Sequence, residues 1–172
     1  MPTNTELAQQ VLDAINAHDA DALRELWADG VEERFPDKTC HGKEELSAYF
    51  KGLWAAMPDF NLQLVSAVED GESVFARWTL TGTHTGGQFN GIDTTGKSIS
   101  MVGMDQFTFR DGKMVSNFVV FDQMEVGRQL GLLPPDGSAR RSSISAVSAT
   151  GTPVRCSSRD SKSATIAWTA VA

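Results

Sequence analysis

The chain has 172 residues, with 15 Lys and Arg against 22 Asp and Glu, and its net charge is −7. This length suits one domain, and the acidity disfavours binding to nucleic acid phosphates. No apolar run is long enough to span a bilayer, and residues 1–5 lack the layout of a signal peptide, so we expect a cytoplasmic protein that contacts neither nucleic acid nor a membrane.

Several kinds of chemistry are disfavoured by residue spacing. Two cysteines, Cys40 and Cys156, exclude a disulfide framework and a cysteine-rich metal site. His18, His41 and His84 lie far apart and lack metal-ligand spacing. The sequence also lacks a nucleophile elbow, a dinucleotide-binding glycine motif and a P-loop. We therefore expect no metal and no cofactor.

A change in charge divides the chain. Residues 1–137 carry 10 basic against 21 acidic residues, whereas residues 138–172 carry five basic residues and one acid. The second segment is rich in Ser, Ala and Thr, and such a composition buries too little apolar surface to order itself. We expect a folded domain over 1–137 and a disordered tail over 138–172. Two other interpretations stay open: a basic tail that contacts the acidic body or a partner, and a segment read in an altered frame.

The first part of the domain has helical periodicity. Residues 3–5 offer an N-cap for a helix that runs to Ile15, and Asp19 or Asp21 can cap a second helix that ends at Gly30 and includes Trp27. Residues 31–35 are typical of a short strand. A third helix is predicted over 42–57, where Pro58 ends it.

From Phe60 onward the apolar period changes from 3.6 to 2. Strands are predicted over 60–69, 73–84, 97–110 and 114–123, with a glycine-rich loop over 85–96 and a hairpin turn at Asp111-Gly112. A short helix follows over 124–132. Helices followed by a meander of antiparallel strands indicate an α+β fold. A curved four-strand sheet with helices on one face would leave a blind apolar pocket.

Two acids stand apart from the solvated ones. Asp105 lies inside an apolar strand, and Asp122 ends the run 119–122. Desolvation raises the pKa of a carboxyl and improves it as a general acid or base near neutral pH. The structural alternative is that each aspartate lies at the end of a β-ladder or forms an ion pair with Arg77 or Arg110.

Other side chains are candidates for substrate binding. His84 ends a strand before the glycine loop, where it is placed to hydrogen-bond a substrate carbonyl or the backbone. Aromatic residues at these spacings form either a pocket or ordinary core. The substrate-binding candidates are Trp27, Phe35, Trp54, Trp78, His84, Met101, Phe107, Asn117 and Phe118.

Four segments occur in order at 54–60, 77–86, 109–115 and 121–123, the last followed by Leu130-Gly131-Leu132-Leu133-Pro134. Together they resemble the SnoaL-like polyketide cyclases of the nuclear transport factor 2-like superfamily, over about residues 5–135. The resemblance implies a cone-shaped α+β barrel of a curved, mostly antiparallel sheet with N-terminal helices over an apolar pocket. Pairing through the outer face of the sheet, as a homodimer or homotetramer, is also implied.

The resemblance implies a reaction as well. Members of the family close the last ring of an anthracycline-type aromatic polyketide by intramolecular aldol condensation, with no metal or cofactor. An aspartate that matches Asp122 acts as acid and base, and Asp105 positions Asp122 or the substrate or takes part in proton transfer. Many relatives carry a Glu-His-Trp-like run where this chain has Ser116-Asn117-Phe118, and Asn117 cannot carry a proton at neutral pH.

Three other functions remain open from the sequence. The Asn in place of His is compatible with the cofactor-independent hydroxylase branch of the family. An epoxide hydrolase-like site would hold water between Asp105 and Asp122, with Arg77 as the bridge. A non-catalytic ligand-binding or dimerisation module is expected if the two aspartates point to solvent.

Overall fold

The computed structural model describes residues 2–134, which form four helices and six strands. The predicted tail and its boundary at residue 137 lie outside the described residues. The helices are α1 (Asn4–Asn16), α2 (Ala20–Leu26), α3 (Gly42–Ala56) and α4 (Gln123–Gln129). The strands are β1 (Trp27–Arg34), β2 (Thr39–His41), β3 (Asn61–Asp70), β4 (Ser73–Thr83), β5 (Ser98–Arg110) and β6 (Lys113–Phe121).

The helix starts follow the capping residues in the sequence. Thr3 and Glu6 form a reciprocal capping box at the start of α1, so two backbone N–H groups of the first turn find side-chain acceptors. Asp19 caps α2 by accepting hydrogen bonds from the backbone of Asp21 and Ala22. The predicted cap regions of both helices are therefore confirmed.

The six strands form one curved, mixed sheet in the order β2-β1-β6-β5-β4-β3. Every neighbouring pair is antiparallel except β1 and β6, which are parallel. The expected α+β class with a cone-like architecture is confirmed. The sheet is not closed, because β2 and β3 stand at opposite ends of the strand order.

Two local predictions were wrong. Trp27 was predicted to extend α2, but the helix ends at Leu26 and Trp27 begins β1 with extended backbone angles. Strand β2 was not predicted, and it pairs with β1 to extend the sheet beyond the predicted four strands. A three-residue strand carries too few positions for a period to be recognised in the sequence.

The two faces of the sheet differ in what covers them. Along β4 and β5, alternate residues are buried beneath the helices and their neighbours are exposed. The buried set continues into α1 and α3 as one hydrophobic core. A cavity remains between this inner face and the helices. No helix within residues 2–134 has the length and apolar character needed to cross a membrane.

Candidate active site

The cavity has a volume of about 330 Å³, which lies in the range of small-molecule sites. Its wall is mostly apolar and combines side chains from α1, α3 and the inner face of the sheet. Residues of α4 and the segment after it lie at one side of the cavity. Representative apolar lining residues are Ile15, Leu53, Met57, Leu80, Ile99 and Val119.

The charged groups that line this cavity are acidic. Glu33, Asp37 and Asp105 contribute to the wall, and no Lys or Arg of the described part of the chain does so. A cavity with this lining favours a neutral ligand over an anionic one, since no cation is present to offset a buried negative charge.

Asp105 lies on β5 and is 8% exposed. Burial raises the pKa of its carboxyl from 3.8 to about 7, because the charged form loses hydration. The Trp78 indole N–H and the Asn117 amide face the carboxylate and lower this pKa in part. An acid with a pKa near 7 can accept and return a proton at neutral pH, as general acid–base catalysis requires.

Glu33 is a second buried carboxyl in the same cavity, and it is 5% exposed. Burial is the main reason that its pKa rises to about 8, and the negative charge of Asp105 raises it further. The Asn117 amide donates a hydrogen bond to Glu33 Oε1 at 3.0 Å, which lowers the pKa in part. At a pH between the two titrations, the Asp105 and Glu33 carboxyl groups therefore hold one proton in total.

Three polar atoms around Asp105 have no hydrogen-bond partner within residues 2–134. They are Trp78 Nε1, Asp105 Oδ1 and Asn117 Oδ1, each fully buried. The side chains of Trp78 and Asn117 thus approach Asp105 without completing a hydrogen bond to it. Buried polar groups normally find partners, so these unpaired atoms make this polar cluster costly to bury.

Trp78 reaches this position because its cross-strand partner is a glycine. Trp78 on β4 pairs with Gly103 on β5, and a Cβ atom built on Gly103 would lie 2.1 Å from the Trp78 ring. The indole therefore occupies the space that any other side chain at position 103 would fill. This packing holds the indole close to Asp105, two residues further along β5.

His84 lines the cavity and is 4% exposed. Its Nε2 donates to the Gly87 carbonyl at 3.1 Å, since a carbonyl oxygen can only accept. The Thr95 hydroxyl then serves as donor to Nδ1 at 3.4 Å. Both ring nitrogens are engaged by the loop after β4, so the geometry gives His84 a role in shaping the wall.

The structure divides the residues singled out in the sequence into two groups. Seven of them line the cavity; they are Phe35, Trp78, His84, Met101, Asp105, Phe107 and Asn117. Four do not. Trp27 packs in the core beside Phe50, and Trp54 stacks on His18 at 5.1 Å. Phe118 faces outward beneath Arg34, because residues alternate between the two faces of β6.

Asp122 is the fourth residue outside the cavity wall. It is exposed, and it precedes α4 as the N-cap residue. Its Oδ1 accepts hydrogen bonds from the backbone N–H of Met124 at 2.9 Å and of Glu125 at 3.1 Å. The geometry therefore brings Asp105 and Glu33 together in the cavity and leaves Asp122 at its edge as a helix cap.

Arg77 does not bridge the carboxyl groups. It is exposed on β4 between the buried residues Ala76 and Trp78, so its side chain lies on the outer face. The geometry does not favour an epoxide hydrolase-like arrangement, which requires a cation between the two acids.

Glu33 was missed by the sequence analysis, although a signal was present. Val31, Glu33 and Phe35 alternate with exposed residues, so Glu33 shares the buried face of β1. The strand had been recognised, but its acid was counted among the solvated ones. An acid that alternates in phase with two large apolar residues on a strand is expected to be buried, as Asp105 was.

The arrangement of polar groups is suited to proton transfer on a neutral organic molecule. Within residues 2–134, no three His, Cys, Asp or Glu side chains come together as metal ligands. Two carboxyl groups of raised pKa, an amide and an indole N–H instead converge in an apolar cavity.

Comparisons with known proteins place this chain in a family. Residues 5–130 match the model of the SnoaL-like polyketide cyclase family, and the chain belongs to that family. No protein of curated function matches the sequence. The family consists of cyclase- and hydroxylase-type enzymes, which supports an enzymatic role for this chain.

Solved structures agree with this assignment. AclR from Streptomyces galilaeus, to which a hydroxylase function is ascribed, is 26% identical with a TM-score of 0.66, over 76% of this chain and 96% of AclR. TsrD from Streptomyces laurentii is also 26% identical, with a TM-score of 0.68 over the same shares. IdmH from Streptomyces antibioticus, to which a polyketide cyclase function is ascribed, shares the fold at 24% identity and a TM-score of 0.66, over 76% of this chain and 99% of IdmH.

Proposed function

We propose that the protein is an enzyme of aromatic polyketide biosynthesis that closes a ring of an anthracycline-type precursor by intramolecular aldol condensation. The observation that carries the proposal is the Asp105 carboxyl, which lines an apolar cavity, is 8% exposed and has a pKa of about 7. Membership of the SnoaL-like polyketide cyclase family supports the substrate class.

Asp105 takes the role of proton carrier in this mechanism. Its carboxylate removes a proton from the carbon next to a substrate carbonyl. The C–H electron pair forms a C=C bond to the carbonyl carbon, and the C=O π pair moves onto the oxygen to give an enolate. The enolate carbon then attacks the carbon of a second carbonyl, which forms the new C–C bond and an alkoxide. The alkoxide takes the proton back from Asp105, so the carboxylate is restored and the product is an isomer of the substrate.

The proposal departs from the role that the resemblance implies for Asp122. The Asp122 carboxylate is exposed and already accepts two backbone hydrogen bonds from α4. Asp105, by contrast, is desolvated beside the cavity. The charge of the lining also favours a substrate whose carboxyl group is masked as an ester over the free acid.

The experiment compares wild type with Asp105→Asn and Asp122→Asn on an uncyclised anthracycline-type precursor ester, with products followed by mass. We expect an isomer of unchanged mass from wild type and from Asp122→Asn, because Asn keeps the helix cap. Asp105→Asn should lose about 100-fold to 10,000-fold in rate, the usual contribution of a general acid or base. Loss of turnover in Asp122→Asn with turnover kept in Asp105→Asn would reverse the assignment.

A hydroxylase is the second candidate, favoured by the 26% identity to AclR. The same incubation with an NADPH-dependent reductase and dioxygen separates the two reactions. A product heavier by one oxygen atom, formed only with the reductase system, would mean hydroxylation. Binding of the ester without any turnover in wild type would favour a non-catalytic ligand-binding module.

We also propose that the protein is a homodimer whose two copies meet through the outer face of the sheet. Apolar side chains there are unusually exposed, among them Val68 at 67%, Val102 at 53% and Met104 at 51%. A second copy of the same face would cover them with matching apolar surface.

A further inference from the structure

Glu33 stands on β1 directly beside Asn117 of β6, and both line the cavity. On the other side of β6, Asn117 pairs with Phe107 of β5. Asp105 lies two residues before Phe107 on β5, so both side chains face the same side of the sheet. The two carboxyl groups thus reach the cavity from strands that flank β6. Neither the family assignment nor the resemblance gives Glu33 a role.

The two oxygens of Glu33 have different surroundings. Oε1 accepts the hydrogen bond from the Asn117 amide at 3.0 Å, which fixes the orientation of the carboxyl. Oε2 has no hydrogen-bond partner among the described residues, and the residue lines the cavity. A carboxyl that accepts through one oxygen can carry its proton on the other and donate it to a ligand.

Burial first, and then the negative charge of Asp105, favours the protonated form of Glu33. The titratable side chains that act on it or feel its charge are Asp105 on β5, Cys40 on β2 and Tyr49 on α3. All three are acids, and Asp37 also lines the cavity. No Lys or Arg within residues 2–134 joins them in the wall, so no cation there offsets a negative charge on Glu33.

We propose that Glu33 is a second catalytic residue, which donates a hydrogen bond from its protonated carboxyl to the substrate carbonyl oxygen while Asp105 removes the proton from the adjacent carbon. Negative charge develops on that oxygen as the enolate forms, and a hydrogen bond donated to it stabilises the transition state. Glu33 keeps its proton throughout, so the proton balance of the reaction is closed by Asp105 alone. The inference rests on the proposed function. It concerns the hydrogen bond to the substrate carbonyl oxygen and not the proton transfer by Asp105.

The first test needs no turnover and uses α-tetralone, a neutral bicyclic aromatic ketone, as the probe. Isotope-edited infrared difference spectroscopy records the carbonyl stretch of the bound ketone in wild type, Glu33→Gln, Glu33→Leu and Glu32→Gln. Glu32 is the matched control, because it is exposed on the same strand beside Glu33. We expect a lowered stretching frequency in wild type and Glu32→Gln, a smaller lowering in Glu33→Gln, whose amide still donates, and none in Glu33→Leu.

The second test uses the precursor ester and its pH profile. Glu33→Leu should lower kcat by about 100-fold to 1,000-fold, the usual effect of losing one such donor, and Glu33→Gln should lower it less. Wild-type kcat should fall above about pH 8 as Glu33 ionises, and this fall should be missing in Glu33→Gln. A purely structural role for Glu33 would leave the alkaline limb unchanged in the Gln variant.

The outcomes separate the two proposals. An equal carbonyl stretch in wild type and Glu33→Leu, with both bound, overturns the donor role of Glu33. A lowered stretch that depends on Glu33, without turnover of the ester, supports the donor role and overturns the aldol reaction. Failure of wild type to bind the ketone overturns the donor role, whereas turnover of the ester still decides the aldol reaction. Glu33→Gln keeps the hydrogen bond from Asn117, so a result remains available if Glu33→Leu does not fold.

Discussion

At the scale of single residues, Asp105 and Glu33 are carboxyl groups in an environment that disfavours their charged forms. A protein that uses such groups for chemistry keeps them at the expense of stability, because apolar residues of similar size would pack there without desolvation. The same burial that raises each pKa therefore makes the folding free energy depend on pH.

We predict that the free energy of unfolding falls as the pH rises from about 4 to about 8. The pKa of Asp105 is 3.8 when unfolded and about 7 when folded, so the folded state holds a proton that the unfolded state releases over this range. The stabilisation is fully present below the unfolded pKa and is lost as the pH passes the folded pKa. The loss for Asp105 is on the order of 4 kcal/mol, at 1.36 kcal/mol per pKa unit.

Urea unfolding at a series of pH values between about 4 and 9 measures this dependence. Asp105→Asn should flatten it markedly, since the amide does not titrate, and Glu33 should account for the slope that remains. Asp122→Asn is the control and should follow wild type. An Asp105→Asn variant with the same pH slope as wild type would mean that the aspartate is not desolvated in solution.

At the scale of elements, α4 owes its position to Asp122. The helix has seven residues and none of them is buried, so little packing holds it in place. Gln129 adds a side-chain anchor, because its Nε2 donates to the Ser100 carbonyl and its Oε1 accepts from the Ser100 N–H. Since Val126 and Leu130 line the cavity, the order of α4 affects one wall of the site.

We predict that Asp122→Ala destabilises the protein by about 0.5–2 kcal/mol, the usual effect of losing an N-cap, whereas Asp122→Asn is close to neutral. Amide hydrogen exchange of α4 measured beside the global unfolding free energy localises the effect. Faster exchange confined to α4 in the Ala variant would support the capping role. If Asp122→Asn and Asp122→Ala lose turnover equally while α4 keeps its protection, the carboxylate has a chemical role instead.

Most elements were predictable because their signals are local. The helix caps at Thr3 and Asp19 were predicted from the sequence and are present in the fold. The turn at Asp111-Gly112 was also predicted, and it connects β5 and β6. Trp27 was misplaced because its apolar side chain fits a helical stripe as well as the start of a strand. Strand β2 forms by pairing with β1, and the periodicity of apolar residues in its own short segment does not reveal that pairing.

The site was predictable only in part, for a similar reason. Asp105 was recognised because its own strand is apolar on both sides of it. The depth of Glu33 and the exposure of Asp122 depend on which strands and helices meet, and on the parallel pairing of β1 with β6. That pairing joins residues 84 positions apart, as between Glu33 and Asn117. Proximity in sequence to an apolar run made Asp122 resemble Asp105, although it lies past the end of the strand.

At the scale of the whole molecule, the inner face of the sheet borders the cavity and the outer face carries exposed apolar side chains. The exposed apolar residues of the outer face are neighbours across strands: Met104 pairs with Val120, and Val68 pairs with Phe75. The helices cover the inner face, so the cavity and the exposed apolar side chains are separated by the thickness of the sheet. A change that disrupts pairing of two copies should therefore leave the cavity and its carboxyl groups in place.

We predict that the double substitution Met104→Glu with Val120→Glu converts a homodimer into a monomer. These side chains are 51% and 50% exposed in the single chain, so charge is tolerated there until a second copy covers it. Burying unpaired carboxylates at an interface opposes association by several kcal/mol, and we expect the dimer dissociation constant to rise at least about 100-fold.

Sedimentation equilibrium measures this constant. Met124→Glu is the control, because Met124 is similarly exposed but lies on α4 and not on a strand of the sheet. The pairing proposal fails if wild type sediments as a monomer at high concentration, or if the double variant keeps the mass of a dimer. Unchanged binding of α-tetralone by the monomeric variant would show that the cavity is complete within one chain.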